Sequence, residues 1–165
     1  MKKLYRILAY TLFCSTLSFS AFTQGLPTTV IRDLNGKQVA FDETHTKGRV
    51  TVYSFWATWC VPCKLEINNI KNKLADWKKE ADFDFITVAT DDARYLTQIK
   101  TYTKAKGWTF PVYHDSNSDL KRSLNFQDIP YTIIVDKEGK IVYQHTGYEE
   151  GGENELFEKI KAVTK

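Results

Sequence analysis

The chain has 165 residues with 23 basic and 20 acidic side chains, a formal net charge of +3. Lys2, Lys3 and Arg6 account for that excess, because residues 1–23 contain no acid. The remainder is neutral, which gives no argument for nucleic acid or an acidic surface as partner, and residues 24–165 suffice for one domain with a sizeable core while being too short for two.

Residues 1–23 read as a secretory signal, with a positive start, an apolar stretch from Ile7 to Ala21 and an imperfect cleavage site at Ala21-Phe22-Thr23. Thr11, Ser15, Thr16, Ser18 and Ser20 make that stretch weak as a permanent span, and an uncleaved membrane anchor is the alternative. Lipidation at Cys14 is disfavoured, since Thr11-Leu12-Phe13 lacks a small residue beside the cysteine. Export would place the mature chain in the periplasm or another extracytoplasmic space, where disulfides persist.

Residues 28–32 and 37–41 flank Asp33-Leu34-Asn35-Gly36 as a small hairpin. Residues 49–55 read as the first central strand, and a helix follows to about residue 80. Leu65, Ile67, Ile70, Leu74 and Trp77 form its expected apolar side, with Lys71, Lys73, Lys78 and Lys79 between them. Residues 82–89 supply another strand, and residues 93–106 a helix ending at Gly107. A short extended piece is expected at 110–113 and a short helix at 118–124. Strands at 131–135 and 140–144 surround the turn Asp136-Lys137-Glu138-Gly139, and residues 153–163 form a terminal helix with Leu156, Phe157, Ile160 and Val163 on its apolar side. Strands alternating with helices, then a hairpin and a helix, predict an α/β domain with a mixed sheet covered on both faces.

The most informative motif is Cys60-Val61-Pro62-Cys63 at the junction of the first central strand and its helix. A CxxC in that position is a redox pattern rather than half of a zinc site, and no second cysteine pair is present. At a helix N-terminus the unpaired N–H groups and the dipole favour a thiolate, lowering the ordinary cysteine pKa of ~8.5. Cys63 lies on the same face three residues later, and Pro62 fits the first turn because its missing N–H is not needed there. A purely structural staple would close too small a loop to gain much stability. Trp59 is expected on an exposed apolar rim beside the sulfur, whereas Trp56 reads equally as core or rim. Glu66 follows Cys63 by three residues and, if desolvated, would exchange a proton with it near neutral pH; a favourable acid early in a helix is the alternative. His45, His114 and His145 lack metal-ligand spacing, and Asp91-Asp92 and Asp115 near Asp119 read as solvent-facing turns or caps rather than a metal centre.

The ordered set Asp33-Leu34-Asn35-Gly36-Lys37, Ser54-Phe55-Trp56-Ala57-Thr58-Trp59-Cys60-Val61-Pro62-Cys63, Ile129-Pro130 and Val135-Asp136-Lys137-Glu138-Gly139-Lys140 resembles the thioredoxin fold, more specifically the exported TlpA/ResA-like thiol-disulfide oxidoreductases. The resemblance implies a thioredoxin-like mixed central sheet flanked by helices, with an N-terminal β-hairpin and an additional central helical segment. It implies that Cys60 is the exposed nucleophile, Cys63 the buried resolving thiol, Glu66 a catalytic carboxylate and Pro130 a cis-proline opposite the disulfide. Trp59, Val61, Pro62, Ile129, Pro130 and Tyr131 would meet the substrate, with Tyr131 standing where close relatives carry Thr. Ser54 and Trp56 would support the site, Ser54 occupying the position of thioredoxin's buried Asp.

The implied activity is reduction of protein disulfides in cytochrome c maturation or envelope redox homeostasis. It requires no cofactor beyond the reversible Cys60–Cys63 disulfide, and no metal. Expected partners are exported cysteine-containing proteins and a membrane thiol electron donor, the domain itself being monomeric. A dithiol oxidase or isomerase is the alternative enzyme, and a redox-regulated protein-binding or copper-delivery module the non-enzymatic one.

Overall fold

The computed structural model describes residues 25–165; the expected signal segment and Cys14 lie outside the described residues. Seven strands form one sheet: β1 (Val30–Asp33), β2 (Gln38–Ala40), β3 (Val50–Trp56), β4 (Phe83–Ala89), β5 (Val112–His114), β6 (Tyr131–Val135) and β7 (Ile141–Thr146). The helices are α1 (Val61–Glu80), α2 (Leu96–Ala105), α3 (Asp119–Ser123) and α4 (Gly152–Thr164). The strand order is β2-β1-β5-β4-β3-β6-β7. β3, β4 and β5 run parallel, and the remaining neighbours pair antiparallel, giving the expected mixed sheet.

Strand alternation divides the interior in two. On one face Val50, Val52, Trp56, Phe83, Phe85 and Ile134 pack against Ile67, Ile70 and Trp77 of α1, Ile99 of α2 and Leu156, Phe157 and Ile160 of α4. On the other, Tyr53, Phe55, Ile86, Val88, Ile133 and Val135 pack against Leu120 of α3 and Phe41. Every residue of β3 is buried, as expected of a strand covered on both sides. Two short aspartate-led turns close the hairpins: Asp33 Oδ1 accepts from the amides of Asn35 and Lys37, and Asp136 Oδ1 from those of Glu138 and Lys140. In the second turn Gly139 sits at φ 83°, where a side chain would be strained.

Several sequence expectations need correction. Leu65 belongs to the opposite side of α1 from Cys63, Ile67 and Ile70, and is 54% exposed. The helix expected from residue 93 begins with a 3-10 turn, Ala93–Tyr95, before α2. β5 starts after Pro111, which has no N–H to give to the ladder; its carbonyl instead accepts from Thr87. Phe41, expected to end the second strand, opens a 3-10 turn, Phe41–Thr44, and is fully buried.

Candidate active site

β3 ends at Trp56, and four residues later Cys60 caps α1. The connection is fixed by two contacts that the sequence alone does not reveal. The buried Asp91, in the loop after β4, accepts the Thr58 amide at 3.0 Å on both carboxylate oxygens and also accepts the Thr58 hydroxyl. Lys64 Nζ, one turn into α1, donates to the Thr58 carbonyl at 2.8 Å. Pro62 lies in the first turn, where it removes no helical hydrogen bond.

Cys60 and Cys63 form a disulfide with their Cα atoms 5.4 Å apart. Cys60 Sγ accepts the Cys63 amide at 3.3 Å and lies 3.9 Å from the carbonyl oxygen of Ile129. The Ile129–Pro130 peptide is cis, and it brings the loop before β6 against the sulfur. Cys63 is fully buried; Cys60 keeps 4% exposure, less than expected of an exposed nucleophile, because the β6 loop covers one side in the disulfide form. Around it Trp59 (68% exposed), Val61 and Pro62 face solvent. Trp56 is core, packed against Tyr102 and Trp108.

Tyr131 also departs from expectation. It is buried, stacked on Phe126 with ring centroids 4.3 Å apart, and its hydroxyl donates to Gln144 Oε1 at 2.8 Å. Its ring therefore fills the second core rather than shaping an open surface beside the disulfide.

Glu66 is 1% exposed on the sheet-facing side of α1. His145 Nε2 lies 3.1 Å from its Oε1, while the Thr132 hydroxyl donates to Oε1 and the Ser54 hydroxyl to Oε2, each at a long 3.4 Å. Thr87, Ser54, Thr132 and His145 are directly opposite one another on β4, β3, β6 and β7, so they form a polar row across a largely apolar sheet face. The sequence brings Ser54 and Glu66 into view but not Thr132 or His145. Thr132 leaves a weak trace as the polar residue in the run Tyr131-Thr132-Ile133-Ile134-Val135.

A dithiol at the start of a helix, a cis-proline against its outer sulfur and a mixed sheet in this strand order define a thioredoxin-like protein whose redox group is the cysteine pair itself. The Redoxin family model matches residues 21–160, and the chain belongs to that family. Thiol-disulfide oxidoreductase ResA of Bacillus thuringiensis subsp. konkukian is 27% identical over 180 residues, covering 99% of each chain. The Bacillus cereus protein of the same name is 28% identical over 138 residues, 84% of this chain and 76% of the relative. Among solved structures, a thioredoxin-like protein of Porphyromonas gingivalis is 39% identical with a TM-score of 0.75, over 84% of this chain and 91% of that one. The chain is a thiol-disulfide oxidoreductase of the ResA-like type.

Proposed function

We propose that the protein is an exported reductase of protein disulfides, with Cys60 as nucleophile and Cys63 as resolving thiol. The observation that carries this reading is the placement of Cys60 Sγ. It receives the Cys63 amide at the N-terminus of a 20-residue helix, beside the Ile129 carbonyl and an exposed apolar rim, while Cys63 is shut away behind it. In the reduced protein the amide and the helix dipole favour a thiolate on Cys60.

That thiolate attacks one sulfur of a client disulfide. The Cys60–client bond forms, the client S–S bond breaks, and the electron pair leaves on the other client sulfur. Cys63 then gives its proton to Glu66 and attacks Cys60 Sγ. The Cys60–client bond breaks with its pair on the client sulfur, which takes up a proton. Two electrons have passed to the client, and Cys60–Cys63 is left oxidised. A membrane thiol carrier would restore the dithiol in the periplasm or an equivalent extracytoplasmic space. Trp59, Val61, Pro62, Ile129 and Pro130 would contact the client, whose chain would lie extended beside the residue preceding Pro130. Cytochrome c precursors and other exported cysteine-containing proteins are the client class proposed, met by a monomeric domain.

Two measurements test this. A Cys60/Cys63 reduction potential near the strongly reducing thioredoxin end is expected; one near the oxidising DsbA end would replace the reductase with an oxidase. Cys63→Ser should accumulate mixed disulfides through Cys60, identified by mass spectrometry of the trapped clients, and Cys60→Ser should accumulate none.

A further inference from the structure

Glu66 has three hydrogen-bonding neighbours, and two of them are neutral hydroxyls at 3.4 Å. The third, His145, is the nearest at 3.1 Å and the only one that changes charge. Among the described residues no lysine or arginine forms an ion pair with Glu66. The ring has no other polar anchor: its Nδ1 is shielded from water and has no hydrogen-bond partner among the described residues. A side chain held by a single polar contact, with its second nitrogen left unpaired, is oriented by that contact.

The backbone places His145 there by an irregularity. Ile134 is opposite Tyr143, but Val135 is opposite Ile141, so Val142 is an extra residue in β7. The bulge reverses which face each later residue occupies. Ile141 packs against the core that contains Val135, whereas Tyr143 packs against the opposite core, with the helix that carries Glu66. Counting regularly back from the turn would set Gln144 opposite Thr132 and point His145 away. With Val142 bulged, His145 is opposite Thr132 and reaches the carboxylate.

We infer that His145 is a positioning residue for Glu66: it orients the buried carboxylate and, through its own charge, governs how readily Glu66 takes the proton of Cys63 in the resolving step. The inference rests on the proposed role of Glu66. With the imidazole neutral, Nε2–H donates to the carboxylate and fixes its rotamer. With the imidazole protonated, the same contact becomes an ion pair that holds Glu66 ionised. The groups around the ring are few. Glu66 faces it from α1 and the Thr132 hydroxyl from β6. Tyr143 lies beside it on β7, with ring centroids 5.7 Å apart. From α4, Lys159 Nζ stands 5.9 Å over the Tyr143 ring, and Glu155 is 4.0 Å from that ammonium. Among the described residues the ion pair that His145 makes is with Glu66.

The test uses the whole reduced protein mixed with an aromatic disulfide, dithiobis(nitrobenzoate), whose two thiolates are coloured. The first is released by Cys60 attack and the second by Cys63 attack on the mixed disulfide, so the two phases separate nucleophile from resolution. His145→Leu is expected to slow the second phase about tenfold at neutral pH, a small part of what acid–base assistance supplies. His145→Gln, which keeps a donor but carries no charge, should recover most of the rate and give a second-phase pH profile that differs from the wild type. Neither change should appear when Glu66→Gln is already present. If Glu66→Gln alters the second-phase profile but both His145 variants leave it as in the wild type, the inference is overturned and the role of Glu66 stands. If Glu66→Gln also leaves it unaltered, both fail. Far-ultraviolet circular dichroism reports folding in every variant, and should His145→Leu fail to fold, the His145→Gln profile decides.

Discussion

Asp91 holds Thr58 in place: both oxygens of a buried carboxylate lie 3.0 Å from a single backbone amide, 33 residues away in sequence. The contact fixes the loop that delivers Cys60 to the start of α1, and the Asp91 carbonyl lies 2.7 Å from Nε2 of the buried His114. Asp91→Ala strands the Thr58 N–H and hydroxyl, so it is expected to cost about 1–3 kcal/mol, the penalty of leaving buried polar groups unpaired. It should also slow Cys60 attack by loosening the loop. Urea unfolding of the oxidised protein and the first phase of the coloured-disulfide assay measure the two effects separately. An unaltered unfolding midpoint would show that Thr58 finds another partner.

Trp59, Val61 and Leu65 are among the most exposed large apolar side chains of the described residues, and they stand before, at and just after the first turn of α1. Full burial of one such side chain is worth about 1.5–3 kcal/mol, roughly ten- to a hundredfold in affinity. Trp59→Ser or Leu65→Ser should therefore raise KM for a protein disulfide by about tenfold, because partial burial is the realistic case. The kcat/KM for a small aromatic disulfide should fall much less, because such a molecule covers little of the rim. Steady-state reduction of both substrates distinguishes a docking surface from a general effect on the dithiol.

The elements that position the dithiol were legible because each has a strong local signal. Apolar continuity marks β3 and β6, the Asp-Lys-Glu-Gly turn marks the last hairpin, and Pro62 marks the first turn of α1. The surroundings of Glu66 were not, and the reason is register. His145 meets Glu66 only because Val142 is bulged, and a bulge of one residue on an edge strand has no reliable sequence mark. The hold of Asp91 on Thr58 was hidden for a different reason: an aspartate in a loop is ordinarily a turn residue, and only the parallel pairing of β3 with β4 brings that loop beside the dithiol connection. Tyr131 was misplaced by adjacency, since following a proline at the site suggests surface, yet strand alternation turns its ring into the second core.

His45 predicts a component of the pH dependence of stability. Burial holds its pKa below the ordinary 6.5, against the opposing pull of Asp136, the Lys137 backbone and Asp84. As pH falls, the unfolded chain therefore takes up this proton before the folded one. The contribution is fully present above pH about 6.5 and is lost as pH drops through the depressed folded value. His45 Nδ1 also lies 3.0 Å from the Thr51 hydroxyl. His45→Gln should lower stability near pH about 8 by removing that contact, and the gap from wild type should narrow as the solution is acidified. Urea midpoints across that range measure it; a constant gap would mean that the imidazole titrates alike in both states.

Trp77 near the end of α1 and Phe157 of α4 stack with centroids 4.5 Å apart and planes 7° from parallel. Both are buried, and Leu156 and Ile160 flank the contact from the same helix. α4 is the last element of the chain, and Lys73 to Glu153, at 2.7 Å, is its charged tie to α1 near the N-terminal end. Half of that pair is partly exposed, so its worth is small beside the aromatic contact. Phe157→Ala is expected to cost about 3–5 kcal/mol, as for other buried Phe truncations, whereas Lys73→Ala should cost about 1 kcal/mol or less. Because the stack lies far along α1 from Cys60 and Cys63, the coloured-disulfide phases of folded Phe157→Ala should stay close to those of the wild type. Hydrogen exchange should locate the loss: α4 amides lose protection first, with β3 and β4 retaining theirs until global unfolding. Uniform loss across the sheet would instead mean that α4 and the central strands open as a single cooperative unit.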